Sequence, residues 1–247
     1  EEQTQRGLKI MDTVGTDVQF LSPRPFQLMH SEKPASIVHW WHEVSNDINA
    51  RVVKAHPDRY VGICGLPHIS GEKDSSHVVP ELERTVKELG FVGAMINPDP
   101  GEGGEATPSL DNEYWYPLYE AMVKLNVPAM IHSAACMDPR ESYSAHFITT
   151  ESQVVLNLIK RDSKVFKDFP DLRIIVAHGG GSVPYQIGRW RAARFNQMKG
   201  DPNLSDFDTA LKQLYYDAVL YNKESLELLF KLVGTDRTMF GTENPGS

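Results

Sequence analysis

Three polar residues stand where apolar runs end. Val127-Pro128-Ala129-Met130-Ile131-His132 is an apolar segment that leaves a proline turn and stops on an imidazole. The arrangement recurs at Arg173-Ile174-Ile175-Val176-Ala177-His178, followed by Gly179-Gly180-Gly181. Glycines there let the backbone turn sharply and leave room above the His178 ring for a ligand. The third is Glu243, in Thr238-Met239-Phe240-Gly241-Thr242-Glu243-Asn244-Pro245. A carboxylate at the end of a buried strand is costly to desolvate unless a cation or hydrogen bonds compensate it. Each has an ordinary reading on its own: a hydrogen-bonded strand-end histidine, glycines for close strand–helix packing, a rim charge. Together, imidazole nitrogen and carboxylate oxygen suit a divalent metal, zinc first, with one position kept open for water or substrate. Such an ion polarises a substrate oxygen or lowers the pKa of bound water.

Seven short apolar runs carry these groups: 17–21, 60–66, 92–96, 129–132, 173–178, 214–218 and 238–241. Helical patterns separate them, at 35–56, 78–89, 114–125, 150–160 and 223–232, with apolar residues spaced three or four apart, as in Leu118, Met122 and Leu125. Strands alternating with helices imply parallel pairing and right-handed crossovers. Groups able to do chemistry follow nearly every run: Ser22 and Arg24, His68, Asn97 and Asp99, His132, His178, Asp217 and Tyr221, and Glu243. A barrel assembles its site from the ends of many strands, whereas an open doubly wound sheet uses one switch point. No G-x-G-x-x-G is present. The expected architecture is therefore a (β/α)8 TIM-type barrel in a single domain, residues 1–247. Seven strands are one short of closure, and the expectation is a chain lacking the first strand and the last helix.

Composition narrows the function. The 247 residues are 40% hydrophobic and 23% charged, and no apolar run approaches a membrane span. A net charge of −8 argues against general nucleic-acid binding while leaving room for a small anionic substrate in a local positive field. Cys64 and Cys136, far apart, read as two thiols in a reducing compartment, with the cytoplasm as the default. His39 and His42 lie beside Trp40 and Trp41 and read as packing; His56 reads as a helix-end residue; Gly101–Glu105 reads as a flexible solvated loop.

The order of strand-end histidine, His178-Gly179-Gly180-Gly181 turn and Phe240-Gly241-Thr242-Glu243-Asn244-Pro245 resembles the amidohydrolase superfamily. The branch is the one containing aminocarboxymuconate-semialdehyde decarboxylase and related decarboxylases and hydratases. The resemblance implies that His132 and Glu243 are metal ligands and that His178 handles protons or orients metal-bound water. It also implies a His-x-His metal pair on a first strand, which no segment here supplies. Glu243 stands where most of the family has aspartate, and with the Ile96-Asn97-Pro98-Asp99-Pro100 turn it is similar to the 4-oxalomesaconate hydratases of that branch. The implied activity is a metal-dependent hydro-lyase acting on an unsaturated oxo-di- or tricarboxylate from aromatic breakdown. The alternatives are a non-oxidative decarboxylase or hydrolase of a related acid, and a barrel without activity. Carboxylates call for arginine. Arg24 follows the first run, and Arg189 matches an arginine that relatives contribute to a neighbouring subunit's site, implying a homodimer. Tyr143 and His146, in the segment after His132, are candidates for a lid or proton donor.

Overall fold

The computed structural model describes residues 2–134, 136, 140 and 143–242. In chain order it runs α1 (Glu2–Val14), β1 (Gln19–Leu21), α2 (Ala35–Ala55), β2 (Tyr60–Gly62), β3 (Cys64–Gly65), α3 (Val79–Lys87) and β4 (Ala94–Ile96). It continues through α4 (Tyr116–Leu125), β5 (Ala129–Ile131), α5 (Tyr143–Leu158), α6 (Val165–Asp168) and β6 (Ile174–Val176). The last elements are α7 (Ile187–Met198), α8 (Phe207–Leu211), β7 (Tyr215–Asp217), α9 (Lys223–Val233) and β8 (Thr238–Met239).

All strand pairs are parallel and follow chain order, β1 with β2, then β3-β4-β5-β6-β7-β8. The run read as one strand over 60–66 is two short pieces, β2 and β3, on either side of Ile63. The chain stays extended between them, because Ile63 N–H donates to Leu21 O on one side and Cys64 N–H to Gly93 O on the other. The result is a succession of seven parallel staves wrapped by helices, the order of a (β/α) barrel. Among the described residues β1 pairs only with β2 and β8 only with β7.

Local chemistry sets the element ends. Pro80 opens α3 and Pro117 opens α4, where a missing N–H costs nothing. Asn126 closes α4 in the left-handed conformation, φ 56°, and turns the chain into Val127-Pro128 and β5. Asp206 and Asn222 cap α8 and α9 by accepting from the backbone N–H of Thr209 and Ser225.

The core is the layer between sheet and helices. Ala94, Ile96, Ala129, Ile131, Ile174, Val176 and Tyr216 face outward and bury against Leu82, Leu118, Met122, Val155, Leu158 and Leu229. Strand alternation sends their neighbours Met95, Met130, Ile175 and Tyr215 to the inner side. Two residues further along, the same alternation brings Asn97, His132 and Asp217 inward, at the C-terminal end of the staves.

Cys64 is buried and Cys136 half-buried, both as free thiols. The acidic segment is not simply a solvated loop: Glu102 is 5% exposed and its carboxylate accepts from the Ser31 hydroxyl, while Glu105 accepts from Ser70 Oγ at 2.8 Å. Serine donors arriving from two earlier loops hold a segment whose charges alone suggested solvation.

Candidate active site

The C-terminal ends of β5 and β6 bring two imidazoles together. The His132 and His178 ring centroids lie 5.0 Å apart, tilted by 68°. Their pairing follows from register, Ile131 opposite Val176, with the ladder extended by Ala177 N–H to Ile131 O. His132 N–H donates to Ile96 O and ties this stave end to β4.

Each ring is oriented through Nδ1. His132 Nδ1–H donates to Ser133 O at 2.7 Å, which makes Nε2 the unprotonated nitrogen of the neutral ring. His178 Nδ1–H is shared between the two carboxylate oxygens of Glu151, at 2.9 and 2.8 Å. Phe147 forms an apolar wall beside both, edge-on to His132 at 5.6 Å and stacked on His178 at 6.0 Å.

The backbone at His178 is bent for this purpose. His178 takes φ 50° and Gly179, Gly180 and Gly181 take φ 61°, 81° and 66°, a left-handed run that strand residues avoid. A Cβ on Gly180 would meet the Tyr216 ring at 2.8 Å, and one on Gly181 would meet Ile148 O and Ser152 Oγ at 2.6 Å. The glycines therefore serve both the turn and the close approach of β7 and α5. Asp217 Oδ1 receives Gly179 N–H and Val219 N–H, both at 3.2 Å, and Ser152 Oγ receives Ser182 N–H at 2.8 Å. Burial raises the Asp217 carboxyl to about 6, against the opposing pull of His178 and the two backbone donors.

Glu151 was not singled out from the sequence, although a signal was there. Phe147, Val154, Val155 and Leu158 form the buried stripe of α5, and Glu151 lies on that stripe, fully buried. A carboxylate inside an apolar helical face needs a partner, and His178 is that partner.

The other expected site residues divide. His146 on α5 is buried, and its Nε2 has no hydrogen-bond partner among the described residues. The carboxyl of Asp99 is raised chiefly by burial, against Gly103 N–H, which donates to Asp99 Oδ2 at 2.9 Å. Arg24 is exposed just after β1, at the same end of the sheet as His132. Arg189 is exposed in the first turn of α7, and no contact between it and His132 or His178 is found among the described residues. Tyr143 begins α5. Glu243 lies outside the described residues, within which no group of three or more His, Cys, Asp or Glu side chains could hold a metal ion.

The family model described as amidohydrolase matches residues 1–247. The chain belongs to the amidohydrolase family. The hydratase for 2-keto-4-carboxy-3-hexenedioate from Sphingobium sp. (strain NBRC 103272 / SYK-6) is 36% identical, over 97% of this chain and 69% of its own length. The crystal structure of 4-oxalomesaconate hydratase from Rhodopseudomonas palustris superposes with a TM-score of 0.84 at 33% identity, covering 98% of this chain and 67% of that one. This amidohydrolase chain thus spans about two thirds of the length of those relatives. A dihydroxybenzoic acid decarboxylase from Polaromonas sp. JS666, solved with bound manganese and an inhibitor, superposes with a TM-score of 0.78 at 24% identity, over 98% of this chain and 75% of that one. That last likeness speaks to the fold alone. The parallel stave order is accordingly that of an amidohydrolase barrel.

Proposed function

We propose that this amidohydrolase is a metal-dependent hydratase that adds water across the C=C bond of an unsaturated oxo-di- or tricarboxylate. The observation that carries the reading is the His132–His178 pair, 5.0 Å between centroids, with the Nδ1 proton of His178 held by the buried Glu151. Its support from relatives is the hydratase at 36% identity and the hydratase structure at 33%.

His132 and Glu243 are the proposed metal ligands. The fit on this chain's side is the His132 tautomer: a metal-ligating imidazole ordinarily donates its other N–H to a carbonyl or carboxylate, as His132 does to Ser133 O. Zinc is the proposed ion, by its preference for imidazole and carboxylate; the manganese of the decarboxylase above keeps other divalent ions in the test. When bound, the ion supplies Lewis acidity at a substrate oxygen.

His178 supplies the proton chemistry. With Nδ1–H anchored on Glu151, its Nε2 is the nitrogen that accepts a proton from water as the C–O bond forms. The C=C electrons move to the conjugated carbonyl as an enolate, and the proton returns at the adjacent carbon as the carbonyl re-forms. Glu151 stabilises the imidazolium formed in between. Phe147 excludes water from the face of the ring it covers.

Arg24, Arg189, Tyr143 and His146 are the proposed substrate-binding residues. Arg189 acts in the site of a second copy across a two-fold interface to which Trp190 and Phe195, the latter 71% exposed, contribute. Among the described residues no helix is long and apolar enough to cross a membrane, and a cytoplasmic homodimer acting on a small anionic acid, with no nucleic-acid partner, is the proposed setting.

Product analysis tests the reading. Incubation of an unsaturated oxo-tricarboxylate in isotopically labelled water should give a product heavier by one labelled water. Release of CO2 instead would make the enzyme a decarboxylase. A mixture of inactive Glu243→Gln and Arg189→Ala proteins should recover up to about a quarter of wild-type activity on subunit exchange if the site is shared. No recovery, with exchange verified independently, removes Arg189 from the site.

A further inference from the structure

Asn97 is one stave from His132, on the side away from His178. It follows Ile96 at the end of β4, in the inward-facing layer reached two residues beyond Met95. The residue is 3% exposed. Its Oδ1 accepts from Asp99 N–H at 3.0 Å, an Asx turn that fixes which end of the amide faces which way. The opposite end, Nδ2, is buried and has no acceptor among the described residues. A buried amide donor without a partner is costly to the fold, and such groups in native proteins call for an explanation.

The layer itself suggests one. Adjacent staves lie roughly 4.8 Å apart, so the three stave ends followed by Asn97, His132 and the His178 turn span about 10 Å. That matches the reach of a short extended dicarboxylate. With reacting atoms at the two imidazoles, the far end of such a molecule lies over the end of β4.

We infer that Asn97 Nδ2 is a substrate-binding donor that takes a carboxylate oxygen of the substrate remote from the reacting C=C bond, and so selects for a second carboxylate. The inference rests on the hydratase reading and names the substrate feature its pocket requires. A neutral amide suits this position better than an arginine: it orients an oxygen without adding a charge beside the proposed metal ligand His132.

Two probes separate the cases: 2-oxoglutarate, a non-hydratable oxo-dicarboxylate, and pyruvate, which lacks the second carboxylate. Asn97→Asp keeps the oxygen that accepts from Asp99 N–H but replaces the donor by an anion; Asn97→Ala removes both. Binding of 2-oxoglutarate, read as competitive inhibition or by calorimetry, should weaken about 10- to 100-fold in Asn97→Ala and further in Asn97→Asp. Pyruvate binding should change less than about threefold in Asn97→Ala. The hydration reaction should lose in KM rather than in kcat, with metal content unchanged. Equal binding of both probes by wild type and variants overturns the inference. So does an equal loss for both probes, or a loss that follows metal content, because Asn97 then acts on the site as a whole. If Asn97→Ala does not fold, Asn97→Asp with its retained turn decides alone. A wild-type enzyme that neither hydrates an unsaturated oxo-acid nor binds 2-oxoglutarate counts against the hydratase reading itself, whereas one that does both while the variants match it counts against Asn97 alone.

Discussion

The carboxylate of Glu151 meets His178 Nδ1 with both oxygens, at 2.9 and 2.8 Å, from the buried face of α5 to the turn after β6. The pair joins two elements 27 residues apart in sequence and makes α5 part of the site rather than a cover over it. It fixes the tautomer of the imidazole and leaves a carboxylate ready to stabilise the imidazolium.

Glu151→Gln keeps the shape and one acceptor but removes the charge. The expected outcome is a kcat lowered roughly 10- to 100-fold with little change in KM, since only the charged intermediate state loses its partner. Steady-state kinetics checks it; unchanged kcat would return Glu151 to a packing role.

His132 and His178 should part company in a metal assay. His132→Ala is expected to lose bound divalent ion together with activity, whereas His178→Asn keeps the ion and loses activity. Elemental analysis of the purified variants, beside their turnover, decides it. Loss of metal in His178→Asn would assign that ring as a ligand.

The glycine turn predicts a stability cost. Gly180→Ala forces a left-handed residue, φ 81°, and drives a methyl into Tyr216 at 2.8 Å. A loss of about 1–3 kcal/mol is expected in denaturant unfolding, with activity falling further as the His178 ring shifts. Gly188→Ala, where a Cβ meets nothing, is the control and should be near neutral.

Acid should destabilise this fold through three buried imidazoles. His30, His42 and His68 are 2%, 0% and 1% exposed, with the His30 and His42 rings 4.8 Å apart. His30 and His42 donate Nδ1–H to the carbonyls of His68 and Val38. Burial lowers His30 from 6.5 to about 4, against the raising effect of its hydrogen bond to the His68 carbonyl, and holds His42 and His68 well below their ordinary value, these two being further depressed by their histidine neighbours. Between about 4 and 6.5 the unfolded chain therefore binds more protons than the folded one, so stability falls as pH drops through that window. His30 alone contributes about 3 kcal/mol of this loss by pH 4. Thermal unfolding between pH 7 and 4 should show it, and His30→Phe should flatten the slope. An unchanged Tm over that range would mean the rings are not neutral and buried in solution.

Much of this molecule is legible in its residues taken in order. Apolar runs such as Ala129–His132 and Arg173–His178, each ending on histidine, announce parallel staves whose ends carry chemistry, because a buried strand has nowhere else to place a polar group. The three glycines after His178 announce a backbone conformation other residues resist. Periodicity located α2, α4 and α9 to within a residue or two at most ends, since one apolar face must meet the sheet. What tertiary structure alone decided are relations between elements distant in sequence. Glu151 looked like one more helical glutamate until α5 docked and its carboxylate met His178. Asn97 became a donor without a partner among the described residues only when β4 and its loop closed around it. Glu102 passed for a solvated charge until Ser31, from another loop, reached it. The physical reason is common to all three. Side-chain type and local spacing set which face of an element is apolar, but the worth of a buried charge or donor depends on what the fold places opposite it.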